Sequence, residues 1–164
     1  MGYHVHLIAV REDEPLDDPA WLDRLFSAAW DAEEPSPGSI ESVIHKDFFD
    51  LDRLVRGSGA RALGPEEPAS LLIFGGRPVY RRPNSDEPPY IVLSADEVRA
   101  AARFAESTDF EDLWAAADSG LTADPPGWGE GEVREMFRDH YARLSDTYRR
   151  AAAEGRAVVK DFSF

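Results

Sequence analysis

The sequence predicts an α+β protein: a small, largely antiparallel sheet that includes both terminal strands, packed against several helices, among them a long amphipathic helix near the C-terminus. Three observations carry this expectation. Residues 3–10 (YHVHLIAV) and 157–162 (AVVKDF) are rich in the β-branched and aromatic residues that suit a pleated surface. Residues 130–154 place Val133, Phe137, Tyr141, Leu144, Tyr148 and Ala151 three and four positions apart, one apolar seam along a helix. Between them, the compact run Tyr90-Ile91-Val92-Leu93 leads into Ser94-Ala95-Asp96-Glu97, a capping box that opens another helix. At 164 residues, with no internal repeat and no second hydrophobic unit, the chain is expected to form one domain over residues 1–164.

Taken in order, the first strand alternates so that His4, His6 and Ile8 share one face while Tyr3, Val5 and Leu7 share the other. After an acidic loop, Asp18-Pro19 supplies an N-cap and a first-turn proline, and Trp21, Leu22, Leu25, Phe26, Ala29 and Trp30 form a broad apolar stripe that must be half buried. Residues 33–38 (EEPSPG) end that helix. A short apolar step, 42–45, leads to Phe48, Leu51, Leu54 and Val55 at helical spacing, closed by Gly57-Ser58-Gly59. Residues 69–74 form a short apolar segment stopped by Gly75-Gly76-Arg77-Pro78, which reads as a turn, and residues 81–89 read as an exposed, proline-rich excursion. Behind the Ser94 helix, Asp109 caps a short helix through Leu113, Trp114 and Ala117. Asp124-Pro125-Pro126-Gly127-Trp128-Gly129 makes a rigid turn before the long helix. That helix is expected to carry outward pairs Glu130–Arg134, Asp139–Arg143 and Asp146–Arg150, and Gly155 stops it.

Composition excludes several functions. Without cysteine, there is no disulfide scaffold, cysteine-ligated zinc, iron–sulfur cluster or thiol nucleophile. No stretch reaches the roughly 18 apolar residues of a membrane span, and residues 1–10 lack the pattern of a secretion signal, so a cytoplasmic protein is expected. The net charge is −14, and it is uneven: residues 1–50 hold 12 acidic and 3 basic side chains, and the remainder 20 and 15. Such a field repels nucleic acid and anionic membranes, and it favours a basic protein partner or a cation.

The serial order of several segments resembles the YfbM-like family, small bacterial proteins whose domain has no assigned function. The resemblance rests on Met1-Gly2 before the first strand and on Lys46, Phe48, Leu51, Leu54 and Gly57. It continues through Phe74-Gly75-Gly76-Arg77-Pro78, Tyr90 to Ser94 with Glu97-Val98, and Trp128, and closes with Tyr148, Ala151-Ala152 and Gly155. One departure stands out: where the family pattern carries Trp and His in the helix after the lysine, this chain has Phe48 and Asp52. The resemblance implies an α+β fold and a bacterial intracellular protein, and it implies no activity.

Local chemistry offers few candidates. His4 and His6, two positions apart on a strand, aim the same way and could begin a zinc site completed by His45 or a carboxylate. His140 beside the long apolar seam is a candidate acid–base group. Ser58 lacks a nucleophile elbow and reads as a turn residue. Gly75, Gly76 and Arg77 could present N–H groups and a guanidinium to a ligand, and Trp128, between glycines, could anchor a partner. No resident cofactor and no catalytic set is expected. Three functional classes follow. The first is an acidic interaction or inhibitory module of immunity type, docking on a basic protein. The second is a small-molecule or metal-binding domain, favoured if a deep pocket is lined by His4, His6 or the Gly75-Gly76 turn. The third is a hydrolase using His and carboxylates.

Overall fold

The computed structural model describes residues 2–57, 64, 66–117, 121, 127 and 129–164. Among these lie five strands, β1 (His4–Val10), β2 (Glu41–His45), β3 (Arg77–Val79), β4 (Tyr90–Leu93) and β5 (Ala157–Ser163). Six helices accompany them: α1 (Pro19–Asp31), α2 (Phe48–Arg56), α3 (Pro68–Leu71), α4 (Ala95–Ser107), α5 (Phe110–Ala116) and α6 (Glu130–Ala153). The strands form one sheet in the order β2-β1-β5-β4-β3, every neighbouring pair antiparallel. The two terminal strands pair along their length, from His4 opposite Ser163 to Val10 opposite Ala157, so the last strand of the chain is the centre of the sheet.

Strand alternation separates two cores. Val5, Leu7, Val158 and Phe162 face a large cluster built with α2, α4 and α6, where the predicted seam Val133, Phe137, Tyr141, Leu144, Tyr148 and Ala151 is buried throughout. Ile8, Val10, Tyr90, Val92, Ala157 and Val159 face the other way, against Leu22 and Phe26 of α1. The caps form as expected. Asp18 accepts from the Ala20 amide at 3.0 Å, and Ser94 and Glu97 satisfy each other's backbone donors at 3.2 and 3.1 Å.

Three local expectations change. The 42–45 step is an edge strand, because residues 41–45 register along β1. Residues 77–79 are not part of a turn but the opposite edge strand, where Pro78 is tolerated because an edge position can do without its N–H. Gly76, at φ 126°, makes that entry possible: a Cβ there would sit 2.7 Å from the side chains of Ile91 and Leu93. On α6, Arg134 turns to Glu111 of α5, not to Glu130, and Arg138 joins the same carboxylate. Asp146 and Arg150 do approach, at 3.9 Å. No helix among the described residues is long and apolar enough to cross a membrane.

The deepest polar feature is Lys160, in the middle of the central strand and 0% exposed. Its Nζ donates to the carbonyl oxygens of Leu71 (2.5 Å), Ile73 (2.7 Å) and Gly75 (2.9 Å). Burial pushes the lysine well below its ordinary pKa, while the carboxylates of Asp52 and Glu97 oppose that shift. Three acceptors match the three protons of an ammonium, which lessens the cost of burial without cancelling it. The single proton of the Tyr148 hydroxyl is shared between the carbonyls of Leu71 and Leu72, 2.9 Å from each. Substituting Lys160→Met should therefore leave the Ile73 and Gly75 carbonyls unpaired, while Leu71 keeps its Tyr148 contact, and lower unfolding free energy by about 2–5 kcal/mol, read from urea titration.

Candidate functional site

A single helix cannot cover a five-stranded face. Outer strand axes lie about 19 Å apart, four spacings of ~4.8 Å, whereas a helix with side chains is ~10 Å wide. On the α1 side, the end of the sheet carrying His4, His45 and Ser163 is therefore left open, and a groove of about 740 Å³ lies there beside α1. Its wall and floor include His4, His6, His45, Phe26, Trp30, Arg81, Tyr90 and Asp161, and Asp23, Ser27 and Asp31 project from α1.

The register brings the histidines together. His4 lies opposite His45 across the β1–β2 pairing, and their rings are 6.0 Å apart. One face of His4 stacks on Trp30 at 4.8 Å and 12°, and its Nδ1 donates to the Gly2 carbonyl at 3.3 Å. His6 is 4% exposed, and its Nε2 meets Glu41 at 3.0 Å. The pair singled out from strand alternation thus joins a third histidine, as the sequence allowed. Among the described residues, however, no group of three or more His, Asp or Glu side chains is placed to hold one metal ion.

A second arrangement in the groove was invisible in the sequence. The Arg81 guanidinium lies 4.0 Å above the Tyr90 ring. It donates through Nε to the Pro88 carbonyl (2.9 Å), through Nη1 to the Tyr90 hydroxyl (2.8 Å), and through Nη2 to Asp161. The Tyr90 hydroxyl in turn donates to Asp23. Burial raises the Tyr90 pKa, and accepting carboxylate Asp23 reinforces the shift. Burial also raises Asp161, against the opposing charges of Arg81, His4 and His6. The segment expected to be an exposed excursion therefore sends one arginine back across β4 to the central strand.

The other candidates lie elsewhere. The Gly75 amide donates to Ser70 at 2.6 Å and its carbonyl accepts from Lys160, while Gly76 packs on β4. Arg77 pairs with Asp17 at 2.5 Å on the surface. His140 lies 3.3 Å from Asp47 and ties α6 to the β2–α2 junction, next to Lys46 at φ 50°. Asp52, which stands where the resemblance implies a histidine, is buried and pairs with Arg56 at 2.7 Å. Trp128 and Ser58 lie outside the described residues.

A family model, domain of unknown function (DUF1877), matches residues 1–160. The chain belongs to this family. Among solved structures it is similar to YfbM from Escherichia coli, a protein of unknown function. The two share 15% identity over 98% of this chain and 99% of that one, with a TM-score of 0.62. At this identity the likeness shows the fold, and it agrees with the family resemblance of the sequence. No curated protein matches the chain.

In this DUF1877 chain the charge state of Asp161 reports on the groove. Its carboxyl should titrate above the ordinary ~3.9, and Arg81→Met should move it higher still, since a cation that favours the carboxylate is removed. A raised folded value means that the folded chain holds more protons across that interval. Stability should then fall as pH rises through it, and more steeply in the variant. Carboxyl-detected NMR titration with urea unfolding on either side of the midpoint checks both.

Proposed function

We propose that this protein is a small-molecule-binding domain whose ligand enters the groove beside α1. The observation that carries this reading is the convergence, in one cavity of about 740 Å³, of three of the four histidines, an exposed tryptophan and the Arg81–Tyr90–Asp161 chain. That volume lies within the ~300–1,000 Å³ of typical ligand pockets, and a largely aromatic wall with a few fixed polar groups is their usual lining. The polar groups are also held in place before any ligand arrives. Arg81 is fixed at three nitrogens, His6 by Glu41, and His4 by Trp30. Groups held this way cost little to order on binding.

A second reading, an interaction module for a basic partner, draws on a different observation. Tyr3, Phe49 and Phe164 are 53%, 45% and 56% exposed, and the Phe164 ring lies 6.4 Å from Tyr3 and 5.7 Å from Phe49. Clustered aromatic side chains under an acidic field can serve as anchors for a protein. This platform borders the groove through Phe164. The two readings separate on where binding is felt.

Trp30 is 57% exposed, so Trp30→Ala should keep the fold while removing much of the stacking wall. In a fragment screen read by amide NMR, the shifts should cluster at His4, Arg81, Tyr90 and Asp161 and vanish in Trp30→Ala. Shifts centred on Tyr3 and Phe49 and indifferent to Trp30 would count for the second reading and against the first.

A further inference from the structure

We infer that the groove selects a cation: a small molecule with a flat or apolar body and an amidinium, guanidinium or ammonium head. This rests on the reading of the groove as a ligand site and adds the chemistry of what it takes.

The first argument is the disposition of fixed charge. Among the described residues, four carboxylates, Asp23, Asp31, Glu87 and Asp161, line the groove, against one permanent cation, Arg81, and three histidines, His4, His6 and His45. That cation has little to offer an incoming anion. Nε, Nη1 and Nη2 are each engaged, with Pro88, Tyr90 and Asp161, and the plane lies over the Tyr90 ring. Two of its five N–H groups are uncommitted, but the side chain is only 15% exposed and lies against Asp161 and 3.9 Å from Asp23, so an anion approaching it would meet those carboxylates. Displacing Asp161 to make room would be costly because it leaves a charge unmatched.

The second argument is the stripe that α1 presents. Asp23, Ser27, Trp30 and Asp31 are spaced four, three and one apart, which places them along one side of the helix, and all four line the groove. The Asp23 carboxylate is 56% exposed while holding the Tyr90 hydroxyl through Oδ1. Trp30 stacks on His4 yet remains 57% exposed. An indole ring next to carboxylates is a favourable surface for a cation, through the ring quadrupole and direct charge pairing together. A flat body can stack on aromatic neighbours while its head meets Asp23 or Asp31. The net charge of −14 adds a long-range pull of the same sign, which salt would screen.

The test uses three nearly isosteric probes of different charge: benzamidine, benzamide and benzoate, titrated into the full chain at neutral pH and low salt. Binding is followed by amide NMR. Benzamidine should shift groove resonances and bind at least about tenfold more tightly than benzoate, with benzamide between them. Asp23→Asn retains an acceptor for Tyr90 and should weaken benzamidine several-fold without changing benzamide. Asp31→Asn, at an exposed helix end, repeats the test without touching the Tyr90 contact. Benzoate binding as well as or better than benzamidine at the groove would overturn the cation preference and leave the ligand site standing. Indifference of benzamidine to both variants would likewise overturn it. Silence of the groove to all three probes would overturn the cation preference together with the ligand-site reading.

Discussion

The fold turns on one buried ammonium. Lys160 sits at the centre of the middle strand, and its three donors end on the carbonyls of Leu71, Ile73 and Gly75. These carbonyls belong to the end of α3 and the irregular backbone behind it, which has no sheet or full helix of its own to satisfy it. A buried carbonyl without a donor is costly, and so is a buried ammonium without acceptors. Each need is met by the other, which lets non-repetitive backbone lie under the sheet. The adjacent residue, Asp161, points to the opposite face and holds Arg81. Two consecutive side chains on β5 therefore grip the same stretch of chain twice, at 71–75 from one face and at Arg81 from the other. Between the two grips runs β3.

This arrangement links the core to the groove. The segment fixed by Lys160 sets where Gly76 meets β4 and hence where β3 begins, and β3 delivers Arg81 to the groove. The two faces are unequal for a geometric reason: among the described residues, several helices crowd the Lys160 side and α1 is the one helix on the other. α1 buries Leu22 and Phe26 over the middle of the sheet, and Trp30 at its last turn stacks on His4 of β1 yet is more than half exposed. A residue of that size, left partly uncovered next to a cavity, has contact surface available for a ligand.

What was legible in the sequence follows periodicity and caps. Both terminal strands, the Asp18 and Ser94 starts, the Asp109 helix and the long seam from Val133 to Ala151 repeat local rules over several residues, and the structure contains all of them. The strand β3 is three residues long and includes Pro78, too short and too irregular to show a period. The groove was half legible. That His4 and His6 face the same way is a property of one strand, but His45 reaches them only through the antiparallel register of β1 and β2. Asp161 and Arg81 are 80 positions apart and meet because β5 lies beside β4, a fact of strand order that no local pattern encodes. Lys160 was likewise one charged residue in an apolar strand, and only its partners across the fold explain it.

The uneven acidity of the chain acquires a location in the same way. The first fifty residues hold 12 of the 32 acidic side chains, and α1 lies within them, so Asp23 and Asp31 reach the groove as part of an excess that composition alone would assign to solubility. Solubility needs charge that is spread over the surface and well hydrated. It does not need Asp161 held at 21% exposure against a single arginine, or Asp23 set to receive a buried tyrosine hydroxyl. These carboxylates are positioned by particular partners, and positioning costs side-chain freedom that a merely soluble surface retains. The arginine that would otherwise invite an anion is spent on holding them. Beside its histidines and serines, the cleft presents carboxylate and aromatic surface to a visitor, the chemistry that would receive a positive charge.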